Sequence, residues 1–256
     1  MNISYPAHDP RELLELSADM EKAMKHLLRQ FNARQIKLSE LLTYKRIFLF
    51  ILTRAIKTYS SVLILCRQGY GQDVSTLLRG LLELLITAKY IIHDPKTANE
   101  KAARFVAYKW IIFKRHLPEQ GKDFYAMDKK QKQEFLEKKE LVSRQVESFK
   151  KKFKIISDRA LITWSGKTVR DMAKEVNNEL LFEYENNFRL CSRFSHPSIL
   201  GDREYLVQDG QKLIFSPLPA SIGIIPNLKS AIKYAWNFLG VIDELFNFQY
   251  HNELAA

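Results

Sequence analysis

Apolar residues recur at the three- and four-residue spacing of a helix through most of this chain. Leu13, Leu14, Leu16, Met20, Met24, Leu27 and Leu28 predict an amphipathic helix over residues 10–30. A longer one is expected from about Lys37 to Arg67, stopped at Gly69-Tyr70-Gly71. A third runs from Asp73 to Ile92 and closes at Asp94-Pro95. A fourth covers Ala98 to His116, ahead of Pro118. The pattern then turns polar from Asp128 to Lys154 and irregular from Ile155 to Lys167, and becomes helical again from Val169 to about Phe194. Tyr205-Leu206-Val207 and Leu213-Ile214-Phe215, around Asp209-Gly210, have the pattern of a small hairpin. A last helix is expected from Pro219 or Ala220 to about Asn252, with Ile225, Leu228, Ile232, Phe238 and Leu239 on its apolar face. The expectation is an all-α fold: a multi-helix bundle with a protruding polar helical arm and a small β-hairpin near residues 204–215. A single helical domain would span residues 1–256, with a core of about 10–118 and 168–252 and a basic arm of about 128–154. No internal repeat or low-complexity linker interrupts it.

Composition adds two things. Nine glycines and eight prolines in 256 residues are few, which favours helices over a strand-rich fold. The formal net charge of +11 attracts phosphate polyanions or an acidic surface through its field. Cys66 and Cys191 are the only cysteines, so neither a disulfide framework nor a zinc site can be assembled from them. A reducing, cytoplasmic setting is expected. The start, Met1 to Pro6, lacks the basic-then-apolar pattern of a signal peptide. The most apolar runs, Ile47–Leu52 and Val62–Cys66, are short and flanked by Arg46, Arg54, Lys57 and Arg67. A membrane span needs roughly 18 apolar residues, so a soluble protein with no membrane partner is expected.

Half of the charge surplus lies in one stretch. From Lys129 to Lys154 there are ten Lys or Arg against four Glu. Such a run is either a solvated helix face or a ridge that meets nucleic acid, with Lys138, Lys139, Lys150, Lys151 and Lys152 as its contacts. Phe149 and Phe153 are the only aromatics in its last turns, so base stacking along it has little to build on.

The third helix places Arg79 and Glu83 four residues apart within Leu77–Ile86, a run apolar on nearly every side. Buried charges need partners. The two residues therefore predict either an internal ion pair or a polar pocket, with Arg104 as a further wall. Late in the chain, Arg189, Ser192, Arg193, Ser195 and His196 gather where Pro197 must end a helix. An imidazole there can move protons, and a guanidinium can hold a phosphate. Ser165-Gly166-Lys167-Thr168 ends like a phosphate-binding loop, but Leu161 stands where the first glycine belongs. Asp243-Glu244 and His251 have no metal-ligand spacing. No metal and no cofactor are expected.

Arg79-Gly80-Leu81-Leu82-Glu83, Arg104-Phe105-Val106-Ala107-Tyr108 and Ser195-His196-Pro197-Ser198 resemble a bacterial family of uncharacterised all-helical proteins, in which an R-x-L-L-E helix precedes a late S-x-H element. The resemblance spans about residues 35 to 200 and implies no activity. Arg189 and His196, six residues between them, also resemble the R-x(4–6)-H signature of the HEPN superfamily. That resemblance implies a metal-independent ribonuclease of toxin–antitoxin or antiviral defence type. Arg189 would stabilise the scissile phosphate, His196 would transfer protons, and the site would be built across a homodimer. Leu190 departs from the polar residue that often follows the arginine. The expected partners are RNA, a second copy, and an antitoxin or defence-system protein. Two alternatives stand beside this one: a non-catalytic basic module binding nucleic acid or a defence partner, and a pocket for a small anion around Arg79, Glu83 and Arg104.

Overall fold

A computed structural model describes residues 9–34, 37–71, 73–120, 124–155, 162–194, 206–209, 212–215 and 223–247. It is mostly helical, as the periodicity predicts. Helix α1 (Pro10–Ala33) starts where the Asp9 carboxylate accepts the Arg11 N–H and Pro10 occupies the first turn, where no backbone donor is needed. Helix α2 (Thr43–Arg67) begins six residues later than expected, after a short 3₁₀ turn over Leu38–Glu40. It ends at Gly69, whose φ of 86° only glycine adopts freely. Helix α3 (Val74–Ile92) follows directly.

The predicted fourth helix is two. Helix α4 (Ala98–Ala107) stops at Tyr108, and α5 (Lys109–Gln120) continues through Pro118 rather than ending before it. Helix α6 (Lys129–Lys152) opens with a reciprocal capping box between Asp128 and Gln131. Helix α7 (Val169–Val176) is capped by Thr168, whose hydroxyl accepts the Asp171 N–H. Asn177 then adopts extended backbone and its side chain accepts the Leu180 N–H at 2.8 Å, which divides the predicted Val169–Phe194 helix. Beyond it, α8 (Asn178–Glu183), a π-helical turn (Tyr184–Phe188) and α9 (Arg189–Phe194) run on without a break. The backbone pairs Leu206–Asp209 antiparallel with Lys212–Phe215. The last helix, α10 (Ile224–Phe246), starts at Gly223 (φ 82°) and ends at Asn247 in the left-handed region, shorter at both ends than the apolar pattern suggests.

The core is one cluster from α1, α2, α3 and α10, centred on Tyr59, Phe48, Phe238, Leu27, Leu78 and Tyr234, all almost wholly buried. Helices α7 to α9 lie against α3 and close that side of the bundle. By length and composition α2 could cross a membrane, contrary to the expectation drawn from its short apolar runs. Its best 18-residue stretch has a mean hydropathy of 1.6, and half of that stretch is buried inside the bundle. Helices α5 and α6 form a second, smaller core of Ile111, Leu117, Val142, Val146 and Phe149. The basic helix is therefore one side of a hairpin with α5, apolar on its inner face.

Candidate functional site

Arg189 sits at the start of α9, immediately after the π-helical turn, and its side chain is 62% exposed. Its guanidinium donates to Glu185 at 3.0 Å, one turn earlier. Arg170 on α7 donates to the other oxygen of the same carboxylate. The Arg170 hydrogen bond first, and Arg189 with it, hold the Glu185 carboxyl below the usual range. Two guanidiniums thus share one acid at the surface, leaving a net positive point on the outer side of this helix. A π-turn is a rare element that recurs at functional sites. Ser192 is partly buried on α9. The backbone alone is described for Arg193, and Ser195 and His196 lie outside the described residues.

The inner side of the same helix holds a cluster that the sequence did not single out. Glu183, 5% exposed, accepts Lys233 Nζ at 2.6 Å, Tyr234 Oη at 3.1 Å and Asn187 Nδ2 at 2.5 Å. Lys233 also reaches Glu179 at 3.1 Å. Burial works against the Lys233 charge, but the Glu183 and Glu179 carboxylates outweigh it and raise the ammonium's pKa. Burial, then the Glu183 charge, pushes the Tyr234 phenol up, so it stays a donor. The one legible trace is Glu183 falling on the apolar side of Leu180-Leu181-Phe182-Glu183-Tyr184. Two of its partners, Lys233 and Tyr234, lie 50 and 51 residues away.

Arg79 and Glu83 do not form the predicted pair. Glu83 is exposed on α3, and no ion pair joins it to Arg79 among the described residues. Arg79 instead lies over the Phe188 ring at 4.9 Å, with Phe188 stacked on Tyr184, which ties the π-turn to α3. Cys191 lies beside Arg79 and Ser75, and burial nevertheless pushes its thiol up to about 11. Cys66 is raised to about 11 by burial as well, so neither is an activated nucleophile. A 210 Å³ cavity opens between Cys191, Asn187, Ser75 and Tyr234.

Arg104 stands apart from Arg79, at the far end of α3 beside Tyr90. No described cavity is lined by both arginines, so the three-residue pocket predicted from Arg79, Glu83 and Arg104 is not assembled. A cleft of about 460 Å³ runs between α3, α10 and the α7–α8 junction. It carries Lys89, whose pKa burial lowers, bonded to Asn237, with His93, Trp236 and Glu244 around it.

Along α6, Lys138, Lys139, Lys151 and Lys152 are exposed, and Lys150 is partly covered and pairs with Glu147 at 3.4 Å. Phe149 faces the small α5–α6 core, so it is not free to stack on bases. Among the described residues no group of three His, Cys, Asp or Glu is placed to hold a metal ion.

The model of a family of unknown function, DUF5677, matches residues 45–213, more than half of the chain and much the same stretch as the resemblance to an uncharacterised family. No curated protein and no solved structure matches the chain.

Proposed function

The chain belongs to DUF5677, a family of unknown function, so its chemistry has to be argued from its own residues, and we propose that it is a HEPN-like metal-independent ribonuclease. The observation that carries this reading is the exposed Arg189, oriented by Glu185 at the outer end of a π-widened helix, seven positions before the histidine of its motif. A guanidinium so held can take a phosphate oxygen in a fixed orientation. In this reading His196 removes the ribose 2′-hydroxyl proton as that oxygen attacks the adjacent phosphorus. The new O–P bond forms, the bond to the 5′-oxygen breaks, and a proton returns to the leaving oxygen. The products are a 2′,3′-cyclic phosphate and a 5′-hydroxyl. Arg189 stabilises the charge that grows on the phosphate between these events. Ser192, Arg193 and Ser195 are the supporting residues in this reading, and a second copy of the chain, in a cytoplasmic defence or toxin–antitoxin setting, completes the site.

Purified protein incubated with total tRNA and ribosomal RNA in excess EDTA tests this. The wild type is expected to cleave and His196→Ala to leave the RNA whole, with unchanged helical circular dichroism. Equal cleavage by both removes His196 from the mechanism.

One observation favours a second reading, a non-catalytic RNA-binding surface. The outer face of α6 presents Lys138, Lys139, Lys151 and Lys152 to solvent, and the ion pairs described along it, such as Lys130–Glu134 (4.0 Å) and Arg144–Glu140 (3.8 Å), join helix neighbours. Exposed pairs of this kind neutralise little. Changing Lys150, Lys151 and Lys152 together to Gln is expected to flatten the slope of log affinity against log salt by about 2 for single-stranded RNA. An unchanged slope, measured by filter binding, takes the ridge out of the interface.

A further inference from the structure

Among the described residues, two buried side-chain polar atoms lack a hydrogen-bond partner, Ser17 Oγ and Arg104 Nε, and only the second belongs to a charged group. Arg104 lies on α4 and is partly buried, with its Nε wholly shielded from solvent and without a hydrogen-bond acceptor. No carboxylate pairs with its guanidinium among the described residues. An arginine cannot shed its proton, and a shielded donor with no acceptor is costly.

What lies beside it is a cavity of about 160 Å³. Its walls are rigid and aromatic: Trp164 meets Tyr90 edge to face at 5.7 Å and Phe105 at 5.1 Å. Lys101 stands one turn before Arg104, its ammonium 4.1 Å from the centre of the Tyr90 ring and donating to the Tyr90 carbonyl at 3.2 Å. Ser165, the first residue of the loop Ser165-Gly166-Lys167-Thr168, lines the cavity as well. Gly166 there holds a φ of 74°, and the Ser165 hydroxyl accepts the Lys167 N–H at 3.1 Å. Lys167 and Lys101 share a single acid, Glu175. The only carboxylate lining the cavity itself is the exposed Glu100. Three cations against two acids leave this corner net positive, and Arg104, which forms an ion pair with neither acid, lines the cavity.

We propose that this cavity binds a phosphate group, held by the Arg104 fork with Lys101 beside it. Its volume is below the roughly 300 Å³ at which pockets enclose whole small molecules. It therefore takes one group, either free phosphate or the terminal phosphate of a nucleotide whose remainder stays in solvent. A guanidinium and an oxyanion match in geometry as well as charge. The site is separate from Arg189, and its test uses no RNA, so it stands or falls apart from the ribonuclease reading.

The experiment is thermal unfolding and tryptophan fluorescence of the full chain titrated with sodium phosphate and, separately, with AMP, against sodium chloride at equal ionic strength. The chloride arm is needed because phosphate stabilises proteins generally. Wild type is expected to show a saturable rise, roughly 5 °C at a hundredfold excess over Kd. Arg104→Gln loses that rise. Arg104→Lys, which keeps the charge and loses the fork, weakens binding about tenfold or more. Without ligand, Arg104→Gln melts at or above the wild type, because no protein partner is lost; a purely structural arginine gives the opposite. A response to both compounds marks a site for the free ion, and a response to AMP alone marks a nucleotide phosphate; either supports the proposal if Arg104→Lys weakens it. A phosphate or AMP response in Arg104→Lys equal to the wild type, or no response of the wild type beyond chloride, overturns it.

Discussion

Glu183→Ala is expected to cost about 3 kcal/mol of folding stability, the largest effect of any single polar substitution in the described structure. Glu183 is the shared acceptor of Lys233, Tyr234 and Asn187 and is almost completely buried. Its removal strands the Tyr234 hydroxyl in the core with no acceptor. Lys233 suffers less: its side chain is 35% exposed and Glu179 remains within reach. Glu183→Gln is expected to cost about half as much, since an amide oxygen still accepts from Tyr234. Combining Glu183→Leu with Lys233→Met should cost about 1 kcal/mol less than the sum of the two single changes, because each removes the group the other leaves unpaired. The raised Lys233 pKa gives the matching pH dependence. Its contribution is fully present below the usual lysine value of 10.5 and fades only as pH rises through the elevated one. Urea unfolding at pH 7 measures these differences, and a Glu183→Ala change under 0.5 kcal/mol would show that the cluster does not hold the bundle closed.

Arg189→Ala is expected to lower the rate of RNA cleavage by about 10²- to 10³-fold, the usual loss when one donor to a developing oxyanion is removed. The loss should fall on kcat, because a donor aimed at transition-state charge adds little to ground-state binding. Stability should barely move, since Arg189 is mostly exposed and its pair with Glu185 is a surface pair. Glu185→Gln separates orientation from charge. It frees Arg189 and Arg170 together, keeps both cations, and is expected to cost about tenfold in kcat. If Arg189→Ala cleaves as fast as the wild type, the ribonuclease reading loses its electrophile, and RNA binding through α6 becomes the reading to pursue.

Helix content was legible because apolar spacing is a local signal, and seven of the predicted spans contain helix where expected. What stayed hidden was where helices break without glycine or proline. The α4–α5 break at Tyr108 has no such marker, and it sits where α4 leaves the main core and α5 turns to meet α6. Asn177 was legible in principle, because asparagine is a preferred helix-starting cap. The site residues divide the same way. Arg104 was picked out as an arginine in an apolar helix, and it does line a cavity. Grouping it with Arg79 and Glu83 failed because α3 carries Arg79 and Tyr90 eleven residues apart, three turns along the helix. Glu183 escaped notice because an acid beside Tyr184 and Glu185 looks solvated until Lys233 and Tyr234 arrive from α10. Such pairings are fixed by which helices meet, and spacing along one helix carries no record of them.

The π-turn at Tyr184–Phe188 has a consequence for how this chain tolerates length changes. A π-turn is equivalent to one residue added to an α-helix, and one residue is about 100° of rotation. Deleting a single position there would let the ladder from Asn178 to Phe194 close as ordinary α-helix without losing a hydrogen bond. Residues after the turn would keep their faces, because the bulge already absorbs the extra residue: Cys191 would stay in the core and Arg189 at the surface. A second deletion would find no extra residue to absorb it and would turn Arg189 and Cys191 to new faces by about 100°. One deletion in this turn should therefore be mild, whereas two should be severe.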